Sequence, residues 1–289
     1  MRAKGMKERP MRWVFCALLV LGFASPAIAA DLDFDILRGS QPVGPATFTR
    51  WSGFYVGGQI GYGDANADFS GATQAPIAYA LRETYLENDI APSQWPVLLS
   101  TTNGATSYGG FAGYNTQWQD LILGIEGNYN RAVFSLVAPS TPIARTATDS
   151  TGSTYALSVS GTGSMTTVDF ATLRARAGWV VGNFLPYAFA GAALGVADTS
   201  VSASVSGVEY TSGSTSICTA SQPCYPFSFT TNNSRNSELL YGFAVGGGLD
   251  VALTPNVFVR GEFEYVQFAP VSGIVAGIAS ARVGAGLKF

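Results

Sequence analysis

The chain has 289 residues, of which only 12% are charged, against about 25% in an ordinary soluble domain. Histidine is absent, glycine occurs 34 times, and the mean hydropathy is +0.21. Without histidine the commonest proton shuttle and metal ligand is missing, so serine triads and ordinary zinc sites lose a favoured member. We therefore expect no enzyme, no cofactor and no bound metal.

The first thirty residues have the three-part pattern of a secretory signal peptide. Five basic residues lead into an apolar run at 13–23, and small residues follow up to Ala29 and Ala30. The run is too short to span a bilayer as a helix, so we expect cleavage after Ala29 or Ala30. Residues 31–50 are then expected to be a periplasmic segment without a fold of its own, and residues 51–289 a single domain.

Removal of residues 1–30 leaves 11 basic and 18 acidic residues, a net charge of −7. This balance provides no basic surface for a nucleic acid. Two cysteines remain, Cys218 and Cys224. An exported chain meets oxidising conditions, and neither a second cysteine pair nor a histidine is present to complete a metal site. A disulfide between Cys218 and Cys224 is therefore favoured.

Alternation of apolar and polar residues is the main structural signal after residue 50. It predicts eight strands of about ten residues, at roughly 53–63, 107–118, 121–132, 167–181, 185–197, 238–253, 257–268 and 277–289. In four of these strands one face is apolar and the other carries charge. Lys288 lies on such a face at the end of the last strand, and the other charged positions, which we expect to form a lumen network, are Glu126, Arg174, Arg176, Arg260, Glu262, Glu264 and Arg282.

The connections between the predicted strands alternate in length. Three have two or three residues (119–120, 182–184, 254–256), and three of the other four are long (64–106, 133–166, 198–237), with only 269–276 short. Short turns at one end and long loops at the other are typical of outer-membrane barrels. The sequence therefore predicts an all-β fold, an eight-stranded antiparallel transmembrane up-and-down β-barrel with short periplasmic turns and long extracellular loops. A soluble β-sandwich is the structural alternative, because its strands also alternate.

The charged faces are expected to point into the barrel lumen. Eight strands leave an interior that side chains can fill, and buried charges require partners. We therefore expect Arg174 or Arg176 to lie within salt-bridge distance of Glu126, Glu262 or Glu264. A catalytic pair formed by Glu262 and Glu264 is the less favoured interpretation.

Aromatic residues near the strand ends predict belts at the two membrane interfaces. The periplasmic belt is expected to consist of Trp51, Trp118, Trp179 and Tyr187. The outer belt is expected to consist of Tyr62, Tyr108, Phe134, Phe170, Tyr241 and Phe268.

The long loops are rich in Ser, Thr, Gly and Ala, a composition that favours flexible solvated surface. Within the first loop, residues 77–89 could form a short surface helix. Tyr79, Tyr85 and Trp95 are candidates there for contact with an external ligand.

Several segments resemble the small outer-membrane immunogenic β-barrel proteins of α-proteobacteria, often labelled porin family. They are WSGFYVGG at 51–58, GFAGYN at 110–115, RARAG at 174–178, YAFAG at 187–191 and VGAGLKF at 283–289. In that family the alternating apolar residues and the final aromatic of the last strand are read by the outer-membrane insertion machinery. The matching residues here are Val283, Ala285, Leu287 and Phe289.

The resemblance implies a place in the Gram-negative outer membrane, contact with its lipid and lipopolysaccharide, and exposure at the cell surface. The long first loop and the Cys218/Cys224 pair depart from the family pattern, so no binding activity of relatives is carried over. The expected function is that of a structural surface protein with a filled lumen, contributing to outer-membrane integrity and surface interactions. A narrow diffusion pore with porin activity and a loop-mediated adhesin or ligand receptor remain the alternatives.

Overall fold

Backbone hydrogen bonds between neighbouring strands close into a ring. The computed structural model describes residues 50–210, 218 and 223–289. The strands are β1 (Gly53–Asp68), β2 (Thr101–Trp118), β3 (Leu121–Val137), β4 (Ile143–Thr148), β5 (Thr154–Trp179), β6 (Phe184–Tyr210), β7 (Cys224–Ala252), β8 (Val257–Phe268) and β9 (Val275–Lys288). They pair antiparallel in the order β3-β2-β1-β9-β8-β7-β6-β5, and pairing of β3 with β5 closes an eight-stranded barrel. The predicted fold class is confirmed.

Period-2 alternation separates the two faces of the barrel wall. In β3, Ile125 and Tyr129 are exposed on the outside, whereas Glu126 and Asn128 are buried inside. The outer face is therefore the apolar one, as a membrane requires. Within the described part of the chain, no helix is long and apolar enough to cross a bilayer.

Strands β5, β6 and β7 are far longer than a membrane requires. They have 26, 27 and 29 residues, or roughly 90 Å at about 3.3 Å per residue, whereas the apolar band of such barrels is about 25 Å tall. Above the barrel they form, with β4, a four-stranded extension that we call the outer sheet. The expectation of flexible loops at 133–166 and 198–237 is wrong where β4 to β7 run, because backbone pairing continues there and the apolar side chains of β5 and β6 pack against the first loop.

Irregularities in register mark the level at which the barrel becomes the outer sheet. β5 and β6 shift between Thr167 and Asp169, and β6 and β7 shift opposite Ala197 and Thr199. A bulge inserts one extra residue and so exchanges the two faces of the strand beyond it. In β5 the buried positions are therefore even-numbered in the barrel (Arg174) and odd-numbered above it (Leu157).

The first extracellular loop, residues 69–100, folds inward over the barrel mouth. It contains α1 (Gln74–Ala80), a π-helical turn (Leu86–Ile90) and a 3-10 turn (Pro92–Gln94), so the helix expected at 77–89 begins and ends earlier. Its buried apolar side chains pack in one cluster with side chains of the outer sheet and of the upper lumen. The loop contributes Phe69, Ala72, Ile77, Leu81, Leu86, Trp95, Val97 and Leu98 to this cluster. Trp95 is thus part of this core.

The aromatic belts are only partly where the sequence places them. Trp118 and Trp179 are exposed on the outer face, as are Tyr62, Tyr108 and Tyr241. The prediction of an interface position is wrong for Trp51 and Tyr187, and also for Phe134, Phe170 and Phe268. These five rings are buried because they lie on the inward face, where a closed lumen needs side-chain volume.

The Cys218–Cys224 disulfide is confirmed, with the two Cα atoms 5.5 Å apart. Cys224 begins β7 and pairs with Tyr210 at the far end of β6. The bond therefore lies at the extracellular tip of the outer sheet. The predicted signal peptide (1–30) and periplasmic segment (31–50) lie outside the described residues except for Arg50.

A charge on the outer face tests which surface meets lipid. Leu173 is 68% exposed near the middle of the barrel part of β5, which follows the register shift at Thr167 and Asp169, so we expect Leu173→Arg to lower the free energy of unfolding by about 2–4 kcal/mol in lipid bilayers. Asn232→Arg is the control, because Asn232 is exposed in the outer sheet, and we expect it to change stability by less than about 0.5 kcal/mol. Urea titration in liposomes measures both, and equal effects would contradict the assignment.

Candidate functional site in the barrel lumen

Eight buried charged residues lie at mid-height in the lumen. Four are acidic and four are arginines, and each is at most 5% exposed: Glu126, Asp250, Glu262, Glu264, Arg174, Arg176, Arg260 and Arg282. We call them the charge network. Their formal charges cancel, as expected of a low-dielectric interior that must neutralise what it encloses. All seven residues expected from the sequence are present, and Asp250 is the member that sequence reasoning missed.

Strand register places three of the arginines directly opposite acids. Glu126 of β3 faces Arg174 of β5, Asp250 of β7 faces Arg260 of β8, and Glu262 of β8 faces Arg282 of β9. Side chains opposite each other on one face of a sheet are close neighbours. The pairs are therefore built into the hydrogen-bonded ladder of the wall.

Arg174 joins three carboxylates across the lumen. Its guanidinium lies 2.7 Å from Glu262 Oε2 and 3.2 Å from Glu264 Oε1, and it also contacts Glu126. Arg282 Nη2 reaches Glu262 Oε1 and Glu264 Oε2, each at 2.6 Å. Glu262 and Glu264 are thus both held between the same two arginines.

Glu126 is the most connected acid. Arg176 Nη1 lies 3.2 Å and Arg260 Nη1 2.9 Å from Glu126 Oε2, in addition to the Arg174 contact. Tyr55 donates its hydroxyl hydrogen to the same oxygen at 2.7 Å. Charge-assisted hydrogen bonds of this kind are the strong ones in proteins, so Glu126 ties four strands together.

Aromatic rings flank the guanidinium groups. The Cζ atom of Arg174 lies 3.9 Å from the Phe189 ring centroid, and that of Arg176 lies 3.9 Å from the Tyr187 centroid. Such cation–π contacts strengthen when they are shielded from water. Tyr187 also donates a hydrogen bond to Glu262 Oε2 at 2.7 Å, which accounts for its lumen position.

Glycines make room for the arginine stems. A Cβ atom at Gly191 would lie 2.5 Å from Arg174 Cα, and one at Gly61 would lie 2.5 Å from Arg282 Cγ. No side chain fits at such separations, so these strand glycines permit the close approach that a crowded interior requires.

Apolar layers lie below and above the charge network. On the periplasmic side Trp51, Ile122, Leu185 and Phe258 form a buried cluster, with the Trp51 and Phe258 ring centroids 6.0 Å apart. On the outer side the cluster that includes the first loop fills the mouth. The ammonium of Lys288 lies 3.9 Å from the Trp51 ring centroid at the periplasmic rim.

The closing strand alternates as the sequence predicts. Val283, Leu287 and Phe289 are 59%, 50% and 75% exposed on the outer face, and Ala285 is also exposed there.

No group of three or more potential metal ligands occurs among the described residues.

A closed antiparallel ring with an apolar exterior and a charged, buried interior defines an outer-membrane β-barrel. The chain belongs to this family, since residues 15–289 match the family model described as Outer membrane protein beta-barrel domain. The protein is accordingly an outer-membrane protein of the Gram-negative cell, as the sequence predicts.

Named relatives agree with this assignment. The chain is 25% identical over 278 residues to the 25 kDa outer-membrane immunogenic protein of Brucella ovis, with 96% of each chain covered. It is 24% identical over 286 residues to the protein of the same name from Brucella abortus, covering 96% of this chain and 97% of the relative. The family resemblance expected from the strand motifs is confirmed.

Solved structures of similar proteins include Ail, the attachment invasion locus protein of Yersinia pestis, at 14% identity, a TM-score of 0.33, and coverage of 82% of this chain and 99% of Ail. Neisserial surface protein A is 17% identical with a TM-score of 0.32, covering 82% and 98%. The N-terminal barrel of Pseudomonas aeruginosa OprF is 14% identical with a TM-score of 0.30, covering 81% and 97%.

Loss of one network charge tests the network. We expect Glu126→Gln to lower the free energy of unfolding by about 3–5 kcal/mol, because it removes the negative charge that three buried arginines share. Glu83→Gln is the matched control, since Glu83 forms a surface pair with Arg82 whose loss should cost less than about 1 kcal/mol. Urea titration of both variants gives the comparison. Equal costs would show that the lumen is hydrated.

Proposed function

We propose that the chain is a structural surface protein of the outer membrane, with a lumen that side chains seal. One observation carries the proposal: a neutral network of eight charges, each at most 5% exposed, lies between two apolar layers. A barrel filled in this way contributes to outer-membrane integrity and presents its outer sheet to the exterior.

A diffusion pore is the less favoured function. Barrels of eight strands have an interior that side chains fill, whereas porins of 16 to 18 strands leave a water channel. A permeating ion would have to separate buried ion pairs such as Arg176–Asp250, whose Nη2 and Oδ2 atoms are 2.7 Å apart, and breaking such pairs is costly.

Catalysis is also disfavoured. Each network carboxylate is paired with at least one guanidinium, so none is free to act on a substrate.

The outer rim supports a proposal about lipid contact. Tyr129 faces outward and donates a hydrogen bond to Asp169 at 2.6 Å, and Arg131 lies 3.6 Å from Asp169. This polar cluster lies beside the apolar outer face, and we propose that it contacts the head groups of lipopolysaccharide.

We likewise infer that residues 1–30 are a cleaved signal, that 31–50 stay in the periplasm, and that the barrel-assembly machinery reads the alternating strand ending at Phe289.

Conductance separates a sealed barrel from a pore. We expect the purified protein to give no reproducible steps in a planar bilayer, because side chains occupy the lumen. Heat-modifiable gel migration of the same sample establishes that the barrel is folded, and fluorescence of labelled protein in the bilayer establishes insertion. Ohmic steps of uniform size from inserted protein would overturn the proposal.

A further inference from the structure

A small cavity lies at the extracellular end of the outer sheet, far from the charge network. Its volume is about 170 Å³, which corresponds to roughly five or six water molecules. The first loop and three strands contribute its lining residues, which are Thr84, Leu86, Tyr155, Glu209, Tyr225, Pro226, Phe227 and Phe229. We call it the aromatic pocket.

Strand register assembles the pocket from cross-strand rows. In the upper row Tyr155 of β5 faces Glu209 of β6, which faces Tyr225 of β7. In the next row Gly207 stands between Leu157 and Phe227. Glu209 is therefore flanked on both sides by tyrosines, with phenylalanines one and two rows below.

Gly207 allows the ring of Phe227 to lie low across the sheet. A Cβ atom at Gly207 would be 2.9 Å from Phe227 Cζ and 3.0 Å from Leu157 Cα, so a side chain there would push the ring away. The Phe227 ring lies edge-on to Tyr155 at 6.2 Å and tilted towards Phe229 at 5.9 Å. Three rings thus form adjoining walls.

The pocket is negatively charged. Tyr155 donates its hydroxyl hydrogen to Asp149 at 3.2 Å, which brings a second carboxylate close to Glu209. Burial raises the pKa of Asp149, but hydrogen bonds from Thr151 and Ser153 outweigh it and hold the pKa below its usual value. Asp149 is therefore ionised at neutral pH.

No basic side chain lines the pocket among the described residues. The sequence adds that residues 211–223, which join β6 to β7, contain neither lysine nor arginine. The adjoining connection therefore supplies no positive partner for Glu209. An aromatic enclosure with an acid beside it, open to the exterior, is suited to a cation that comes from outside.

We propose that the aromatic pocket binds a quaternary ammonium group. Ring faces attract cations through their quadrupole, and cages of several rings are the usual receptors for quaternary ammonium. A primary ammonium is compact, strongly hydrated and must give up its water to enter a pocket, whereas a quaternary ammonium has no N–H donor to satisfy and can rest against the four aromatic residues of the lining. The volume suits one trimethylammonium head. Its carrier is either a free choline-like molecule or a phosphatidylcholine head group.

Choline is the direct probe, with 3,3-dimethylbutan-1-ol as its uncharged analogue of the same shape. The full chain is titrated with each by NMR, in a maltoside detergent that carries no choline group. We expect saturable binding of choline and at least about tenfold weaker binding of the analogue, because the cation–π and carboxylate attractions require charge. Equal binding of both, or no choline binding up to about 10 mM, would overturn the proposal.

Two pairs of variants locate the site. We expect Glu209→Gln and Phe227→Leu each to weaken choline binding about tenfold. The matched controls are Glu83→Gln and Tyr108→Leu, whose side chains are exposed on the first loop and on the outer wall of the barrel, and they should leave binding unchanged. Heat-modifiable migration identifies the variants that fold. Unchanged binding in both folded pocket variants would contradict the assignment.

The source of the ligand is decided with vesicles. Flotation of the protein, reconstituted in nanodiscs that lack choline lipids, is measured with phosphatidylcholine and with phosphatidylglycerol vesicles. If phosphatidylcholine vesicles capture the protein and free choline abolishes this capture, the proposal is supported and the ligand is a lipid head group. If the protein binds choline but neither kind of vesicle captures it, the proposal is supported and the ligand is a free small molecule. Equal capture by both vesicles, together with no choline binding, would contradict it.

Discussion

The structure depends on one constraint: charges enclosed by a narrow barrel must neutralise one another. Four acids and four arginines meet this condition, and three of the arginines do so directly through strand register. Register, glycine positions and ring positions are consequently linked, because every guanidinium lies beside a carboxylate, those of Arg174, Arg176 and Arg260 also lie against rings, and glycines leave space for the Arg174 and Arg282 side chains. A one-residue slip of any barrel strand would turn its charges towards lipid, so the network specifies the pairing as well as filling the lumen.

The outer sheet follows from a second constraint, the need to bury an apolar face above the membrane. Strands β5 and β6 continue beyond the register shifts with buried apolar side chains on one face, β7 adds the partly buried Phe227, and the first loop supplies the surface that covers them. Asp89 connects this loop to the turn after β4, accepting hydrogen bonds from the Ser150 backbone and hydroxyl at 2.9 and 2.7 Å. The loop therefore closes the barrel mouth and at the same time contributes Thr84 and Leu86 to the aromatic pocket.

Alternation in the sequence was sufficient to predict the barrel, its eight strands and the inward direction of seven network charges. It failed where both faces of a strand are apolar: Tyr187 lies between Pro186 and Ala188, and no charge nearby marks the inner side. Trp51 precedes β1, so no alternation applies to it. The outer sheet had a readable pattern in Leu157 and Val159, but the bulge in β5 exchanges the faces and the Ser- and Thr-rich composition resembles that of loops. Asp250 is separated from three consecutive glycines, Gly246 to Gly248, by Leu249 alone. Because glycines have no side chain, no alternation of polar and apolar residues around Asp250 marked its inward face.

The coupling between Glu262 and Arg282 tests the sealed, paired lumen most directly. These residues face each other across β8 and β9, with Nη2 and Oε1 2.6 Å apart. A double-mutant cycle with Glu262→Met and Arg282→Met, measured by urea unfolding in liposomes, isolates the pairwise free energy. The account predicts a favourable interaction of about 1–3 kcal/mol, since each single variant leaves a buried charge unbalanced. Single costs that add to within about 0.5 kcal/mol would contradict it, because independent charges imply a lumen open to water.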